Sequence, residues 1–203
     1  MYPEYKEDEK LLLAETFFQN AIAAISAITF PGSYSYMTVN EMAAIYNYTK
    51  QGYRSLNQKI HSGAIDELSR SNMRFLNYAL SKLPPYTGVT YRGTKLPVSA
   101  VKDYQSLASS HNDYTQEFYL STSTDINTAV DFAGRGNDLY KTLFFTVSKT
   151  GRVVHELSDW GPHFKNIVEQ EVLFPAGTNF RVLKFYWQQI IGERYLVIEQ
   201  EEV

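Results

Sequence analysis

The pattern of apolar and polar positions changes character near residue 85. Before that point apolar residues return every third or fourth position; after it they come in short aromatic and β-branched runs. Over residues 10–29 the positions Leu12, Leu13, Phe17, Ala21, Ala24, Ile25 and Ile28 make one stripe, which predicts an amphipathic helix ended by Pro31-Gly32. Thr38-Val39-Asn40-Glu41 spells a capping box, in which the Thr38 hydroxyl and the Glu41 carboxylate satisfy each other's backbone donors. It predicts a helix from Val39 to about Tyr48. Two more follow, over 53–61 before Gly63 and over 65–82 before Pro84-Pro85.

Past residue 85 the spacing predicts strands over 89–92, 118–123, 140–147, 152–155, 167–174, 180–186 and 194–199, with a short helix over 125–133 between them. Helices first and strands afterwards is an α+β arrangement. Seven strand-like runs separated by turn signals point to two packed antiparallel sheets or a split barrel. The expected organisation is one domain over 1–203, with a helical half over 1–85 and a β-rich half over 86–203.

Composition narrows the function classes. A net charge of −3 carries no electrostatic footprint for nucleic acid. The absence of cysteine excludes disulfides, thiolate metal sites and a cysteine nucleophile, and suits a chain that passes between redox compartments. His61, His111, His155 and His163 are scattered without metal-ligand spacing and read as structural or surface residues. The longest apolar run, 21–30, is interrupted by Ser26 and Thr29 and is too short for a bilayer, so no membrane role is expected. The opening MYPEYKEDEK is acidic and mixed, unlike a signal peptide.

Three polar groups interrupt the apolar strands. Glu169 and Glu171 flank Gln170 in a run that ends at Pro175-Ala176-Gly177; on a strand they would share a face, about 6.6 Å apart along the backbone. Arg92 follows Tyr91 and precedes Gly93, where a guanidinium could fork onto a phosphate and a glycine would let a ligand approach the backbone. Ser121 and Ser123 share one face of Ser121-Thr122-Ser123 and could hold a carboxylate or a ribose. Taken singly, each also has an ordinary reading: two solvent-facing glutamates, an edge arginine, a strand end leading into a helix cap near Asp125.

Taken in order, Tyr91-Arg92-Gly93, then Phe118-x-x-Ser121-Thr122-Ser123, then Glu169-Gln170-Glu171-Val172-Leu173-Phe174-Pro175-x-Gly177 resemble the R-S-E signature of the bacterial mono-ADP-ribosyltransferase exoenzymes. The E-x-E form is similar to that of arginine-modifying members, including the actin-modifying toxins. Tyr53-x-x-x-Asn57 resembles the helix that covers the cofactor in those toxins. Phe132-Ala133-Gly134-Arg135 resembles the loop that folds over phosphate and nicotinamide. The resemblance implies two packed sheets around a NAD cleft with helices on the flank, NAD as co-substrate, and no metal. It implies Arg92, Ser121, Glu169 and Glu171 as the catalytic set. Tyr53, Asn57, Gly93, Thr122, Ser123, Phe132 and Arg135, together with Arg92 and Ser121, are implied as cofactor-binding.

Chemistry follows from those roles. Cleaving the nicotinamide–ribose bond develops positive charge on the sugar carbon, which a fixed carboxylate stabilises; by resemblance that is Glu171, oriented by Ser121, while Arg92 pins pyrophosphate or ribose. Glu169 would select the acceptor, because a guanidinium with a pKa above ~12 needs a neighbouring base before it attacks. The loop over 156–166 is expected to meet the target protein through Trp160 and Phe164. Here the chain departs from the family, placing Asn166 where many members carry an aromatic three residues before the first acid. The expected partner is a protein bearing an acceptor arginine, with actin leading, besides a delivery subunit or an antagonist (immunity) protein. The resemblance implies a chain secreted or translocated from a bacterium into the cytosol of a target cell. A NAD glycohydrolase and a non-catalytic binding relative are the rival readings.

Overall fold

The structure is a computed structural model and describes residues 18–134, 139–165 and 170–203. The chain divides into two compact units, residues 1–84 with 154–168, and residues 85–153 with 169–203.

In the first unit, helix α1 (Gln19–Ser26) buries Ala21 and Ile25 together with Phe18, whose ring lies 6.1 Å from that of Phe75. The residues of the expected 10–29 helix before Phe18 lie outside the described ones. Helix α2 (Val39–Asn47) starts at the expected capping box: the Thr38 amide donates to Glu41 Oε2 at 2.8 Å, and the Glu41 amide donates to Thr38 Oγ1 at 3.3 Å. Met42 to Tyr46 are buried without interruption, so α2 is the core helix of this unit. A π turn, Tyr48–Gly52, carries it into α3 (Tyr53–Ser62), where a break was expected. Gly63, at φ 67°, ends α3 as the sequence predicts. Asp66 then caps α4 (Glu67–Lys82) by accepting from the Ser69 amide at 2.7 Å.

Glu41 has a second task. Its carboxylate is fully buried, and Lys82 at the end of α4 donates to Oε1 at 2.7 Å. Burial pulls the Lys82 ammonium down, and the bonded carboxylate outweighs that, so its pKa is raised. The segment from Val154 also belongs to this unit: Tyr46 donates its hydroxyl to Asp159 Oδ1 at 3.2 Å, and the Asp159 amide donates to Thr49 Oγ1 at 3.1 Å.

The second unit holds β1 (Gly88–Leu96), β2 (Asp113–Gln116), β3 (Leu120–Ser123), β4 (Tyr140–Ser148), β5 (Arg152–Val153), β6 (Glu171–Phe174), β7 (Thr178–Ile190) and β8 (Glu193–Glu202). Two sheets were expected; hydrogen bonding joins the eight strands into one, in the order β2-β7-β8-β4-β1-β3-β6-β5. The correction has a local cause. β1 pairs with β4 over its whole length but with β3 only at Tyr91↔Ser123, so a single pairing splices two blocks of strands. The layered core survives that splice. Phe180 of β7 packs on Leu120 of β3 and on Val172 and Phe174 of β6, so the sheet curls until its separated strands face each other. The β4–β8 pair is parallel, against the all-antiparallel expectation.

Helix α5 (Val98–Ser110) and strand β2 occupy a stretch the hydrophobic pattern left unassigned. Val101, Tyr104 and Leu107 of α5 lie on Phe144, Val182, Leu196 and Ile198. Helix α6 (Ile126–Gly134) sets Ala129 and Ala133 against Leu143 and Tyr195. Leu143 and Phe144 are neighbours on β4 and point opposite ways, so the central strands are covered on both faces. Among the described residues, no helix is long and apolar enough to cross a membrane.

Candidate active site

Three adjacent strands bring the expected residues together. Across β3 and β6, Ser123 stands opposite Glu171 and Ser121 opposite Leu173, so Ser121, Ser123 and Glu171 share a face, with Ser121 diagonal to the acid. The Ser121 hydroxyl donates to Glu171 Oε1 at 2.6 Å, in the range of a charge-assisted bond to a carboxylate. Glu171 is 5% exposed, so its carboxyl group is held away from bulk water. A buried carboxyl group of fixed direction, held by a serine hydroxyl, is placed where it could stabilise a developing cation.

Arg92 arrives from the other side. Tyr91 opposes Ser123 and so shares its face; Arg92, the next residue, leaves β1 on the opposite face, alongside Phe144. From there Nη1 donates to the Ser121 carbonyl at 2.7 Å. Ser121 is therefore gripped twice, by Arg92 at its backbone and by Glu171 at its hydroxyl.

Other expected contacts are occupied by the fold. A Cβ on Gly93 would stand 1.6 Å from the Ala129 carbonyl oxygen, so the close approach it allows is that of helix α6 in place of the expected ligand. Thr122 turns inward and donates to the Val172 carbonyl at 2.8 Å. Ser123 accepts from the Asp125 amide at 3.0 Å, and Asp125 accepts from the Asn127 amide at 3.0 Å, so the ordinary reading of a strand end running into a cap holds for Ser123 while Ser121 holds the acid. Phe132 lies on α6 and is 38% exposed. Arg135 lies outside the described residues.

Glu169 also lies outside the described residues. Among the described residues β6 begins at Glu171, and Gln170 before it sits in the left-handed region at φ 44°. Gln170 is tied to the end of β3, its carbonyl accepting from the Thr124 amide at 3.2 Å and its side chain from the Thr124 hydroxyl.

In the helical unit, Tyr53 and Asn57 lie one turn apart on α3. Tyr53 is 37% exposed and its hydroxyl accepts from Arg54 Nε at 2.9 Å. Asn57 donates to the Tyr48 hydroxyl at 3.2 Å, while its Oδ1 is buried without a hydrogen-bond partner among the described residues. An orphaned buried acceptor fits a ligand donor such as a sugar hydroxyl or a carboxamide. Trp160 and Phe164, expected to meet the target protein, also make contacts inside their own unit. Phe164 stacks on Tyr46 at 4.1 Å, and the Lys165 ammonium lies 3.6 Å over the Trp160 ring while also pairing with Asp159 at 2.5 Å.

A buried carboxylate held by serine on the end of one strand, with arginine bracing the next, sits on a frame shared with solved ADP-ribosyltransferases. HopU1 of Pseudomonas syringae pv. Tomato DC3000 superposes with a TM-score of 0.78 over 98% of this chain and 100% of its own, at 17% identity, a likeness of fold alone. The chain belongs to the ADP-ribosyltransferase exoenzyme family, whose family model matches residues 26–203. Mav of Mycobacterium avium (strain 104), named for NAD(+)–arginine ADP-ribosyltransferase activity, is 36% identical over 144 residues, covering 71% of this chain and 16% of its own length. Vis of Vibrio splendidus (strain 12B01), named for the same activity, is 27% identical over 208 residues, covering 97% of this chain and 77% of its own length. The chain thus spans a small part of the first relative and most of the second.

Residues that sequence reasoning missed lie behind Arg92. Tyr104 and Tyr114 line a cavity of about 110 Å³ with Arg92, Gln116, Phe144 and Gln200. Their only sequence signal was aromatic identity within the unassigned 93–117 stretch.

Proposed function

We propose that this chain is a mono-ADP-ribosyltransferase that moves ADP-ribose from NAD to an arginine of a target protein and releases nicotinamide. The single observation that carries the reading is the 2.6 Å bond from the Ser121 hydroxyl to the buried Glu171 carboxylate, on a chain whose family match runs through both units from residue 26 to 203. The reading treats 1–203 as one catalytic domain.

Glu171 faces the ribose carbon from which nicotinamide departs with the bonding electron pair, and its charge stabilises the positive charge that develops there. Ser121 keeps Glu171 from rotating. Arg92 is a positioning residue, acting on Glu171 through Ser121; a pyrophosphate contact is the role the resemblance adds. Glu169 receives the proton that the acceptor guanidinium loses as its nitrogen bonds to the sugar carbon. Asn57, Tyr53, Phe132 and Arg135 are assigned to NAD by resemblance, with the orphaned Asn57 Oδ1 as the one structural support. NAD is the co-substrate and no metal enters the scheme.

For partners, the reading takes a target protein with an accessible arginine, actin first, met near the 156–166 segment with Trp160 and Phe164. A structure of the related Exoenzyme S from Pseudomonas aeruginosa contains human 14-3-3 protein beta and carba-NAD. Translocation from a bacterium into the cytosol of a target cell, with a delivery subunit or an antagonist protein, completes the proposal.

The test is incubation with labelled NAD, with and without a cell lysate. Label on a lysate protein is expected. ADP-ribose released in solution with no labelled protein would assign a NAD glycohydrolase instead, and neither product would leave a binding module.

A further inference from the structure

We propose that the outer edge of β7 over residues 184–190 docks a second copy of this chain, the two β7 strands pairing antiparallel about a two-fold axis at Trp187. The proposal goes beyond the enzymatic reading and does not depend on it.

β7 is covered on its outer side over its first four residues alone. β2 pairs with it from Gln116↔Thr178 to Asp113↔Arg181; a bulge between Val182 and Lys184 follows, and residues 184–190 pair with β8 only. Helix α5 meets Val182 and Phe185 through side chains, on a face of the sheet. The two-residue turn Ile191-Gly192, at φ 51° and 77°, closes the β7–β8 hairpin, so Ile190↔Glu193 is a hydrogen-bonded pair and the bonds alternate from there. Tyr186, Gln188 and Ile190 therefore turn their backbone groups toward β8. Phe185, Trp187 and Gln189 turn theirs outward, where no strand among the described residues meets them.

Sheet edges are ordinarily blunted by charge, proline or shortness. The strand at the far end of this sheet, β5, has two residues. On β7 the bulge and Lys184 protect the start of the open edge. After them runs Phe185-Tyr186-Trp187-Gln188-Gln189-Ile190, without charge, proline or glycine, the composition of a segment that adds to another strand.

Self-complementarity decides what covers it. A two-fold axis at Trp187 sets Trp187 against Trp187 of the second copy and Phe185 against its Gln189. It is the one antiparallel register that pairs all three outward-facing residues, each pair exchanging both N–H···O bonds. Lys184 falls opposite Ile190, so no like charges face each other. The exposed apolar residues obey the same symmetry. Leu183 and Ile191 stand four residues to either side of Trp187, so each meets the other's counterpart. Ile191 is 76% exposed and is a β-branched residue held in the left-handed region, where asparagine or glycine would rest without strain. An apolar anchor at the hairpin tip gives that strain a purpose.

The test uses the full chain, which has no cysteine of its own. In sedimentation velocity the wild type is expected to pass from one chain to two as its concentration rises through the micromolar range. Gln189→Pro removes an outward N–H and leaves the bonds to β8 in place, a position where a strand tolerates proline. Symmetry removes that bond twice, so dimerisation should weaken about thirtyfold, the size of two net hydrogen bonds, with an unchanged circular dichroism spectrum. Register is read with single cysteines. Trp187→Cys sets two thiols opposite each other, about 5.5 Å apart between Cα atoms and within disulfide reach, whereas Gln189→Cys leaves them about 13 Å apart along the strands. Mild oxidation should link the first variant into covalent dimers and leave the second unlinked. A wild type that stays monomeric throughout, or a dimer in which Gln189→Cys links as readily as Trp187→Cys, would overturn the proposal. If Gln189→Pro does not fold, the two cysteine variants still decide it, and neither readout involves NAD.

Discussion

At the residue scale the site turns on one acid and the hydroxyl that aims it. Glu171→Gln keeps the shape and removes the charge, a loss of the kind that costs about 10²–10³ in rate. NAD cleavage measured at saturating NAD should fall by that amount while the melting temperature stays near wild type. Wild-type cleavage by a folded variant would remove Glu171 from the mechanism. Glu169→Gln should divide the activities, lowering transfer to arginine severely while hydrolysis of NAD continues, read by following labelled protein and released ADP-ribose in the same reaction. Equal loss of both would place Glu169 in bond cleavage. Arg92, Ser121 and Glu171, which the structure brings into contact, could be picked out as candidates because a charged or hydroxyl side chain inside an apolar run is conspicuous. Strand alternation does not describe the approach to Glu171, because among the described residues β6 begins at Glu171, directly after the left-handed backbone at Gln170, and Glu169 lies outside those residues. Side-chain direction was equally hidden. Only the pairing of Tyr91 with Ser123 shows that Arg92 and Glu171 approach Ser121 from opposite faces.

At the element scale, short sequence signals decide how helices meet strands. Gly93→Ala would drive a methyl to 1.6 Å from the Ala129 carbonyl oxygen, backbone that cannot give way without moving α6 off β1. Overpacking of this kind costs about 1–3 kcal/mol, and thermal denaturation should show it together with reduced NAD cleavage, since α6 starts from the Ser123–Asp125 cap. An unchanged melting temperature would show that α6 yields freely. In the helical unit, Lys82→Met leaves the Glu41 carboxylate buried without its cation. Removing one partner of a buried pair costs about 3–5 kcal/mol, and because the Lys82 side chain is 24% exposed, a loss of about 1–3 kcal/mol is expected after solvent screening. The pH sign follows from the raised Lys82 pKa. A raised pKa gives stability that is complete below the unfolded value of about 10.4 and is lost as pH climbs through the folded value. Denaturant titrations of wild type and variant should therefore differ most at pH values below the unfolded lysine value of about 10.4, and the difference should shrink only as pH climbs past it through the higher folded value. The Thr38–Glu41 box was readable because both partners sit three apart; the Lys82 partner, 41 residues away, was not. Helix α5 escaped because its stripe of Val101, Tyr104 and Leu107 is short, flanked by serines and only half-buried.

At the scale of the whole molecule, the α+β class was legible from the switch of period at residue 85, while the joining of the strands was not. A single pairing, Tyr91↔Ser123, makes one sheet of what the spacing describes as two, and the parallel β4–β8 pair depends on contacts between residues 50 and more apart. Neither leaves a mark on local periodicity. Function at this scale is a question of acceptor chemistry, and the acceptor can be tested without knowing the target. If Glu169 activates a guanidinium, the product is an ADP-ribosyl-guanidine bond, which neutral hydroxylamine cleaves, whereas bonds to the amide of asparagine or the hydroxyl of threonine survive it. Lysate protein labelled from NAD by this chain should therefore lose its label in hydroxylamine, and label that persists would sink the arginine assignment. Purified actin then gives the sharper test. Uptake of hydroxylamine-sensitive label by actin, abolished in Glu169→Gln, would support the leading candidate. Actin that stays unlabelled, beside a lysate band that is labelled, would transfer the arginine assignment to that band. The segment to change next would be the one with Trp160 and Phe164, since it is packed on its own unit through Tyr46 and Asp159 and would have to present those rings from that fixed position.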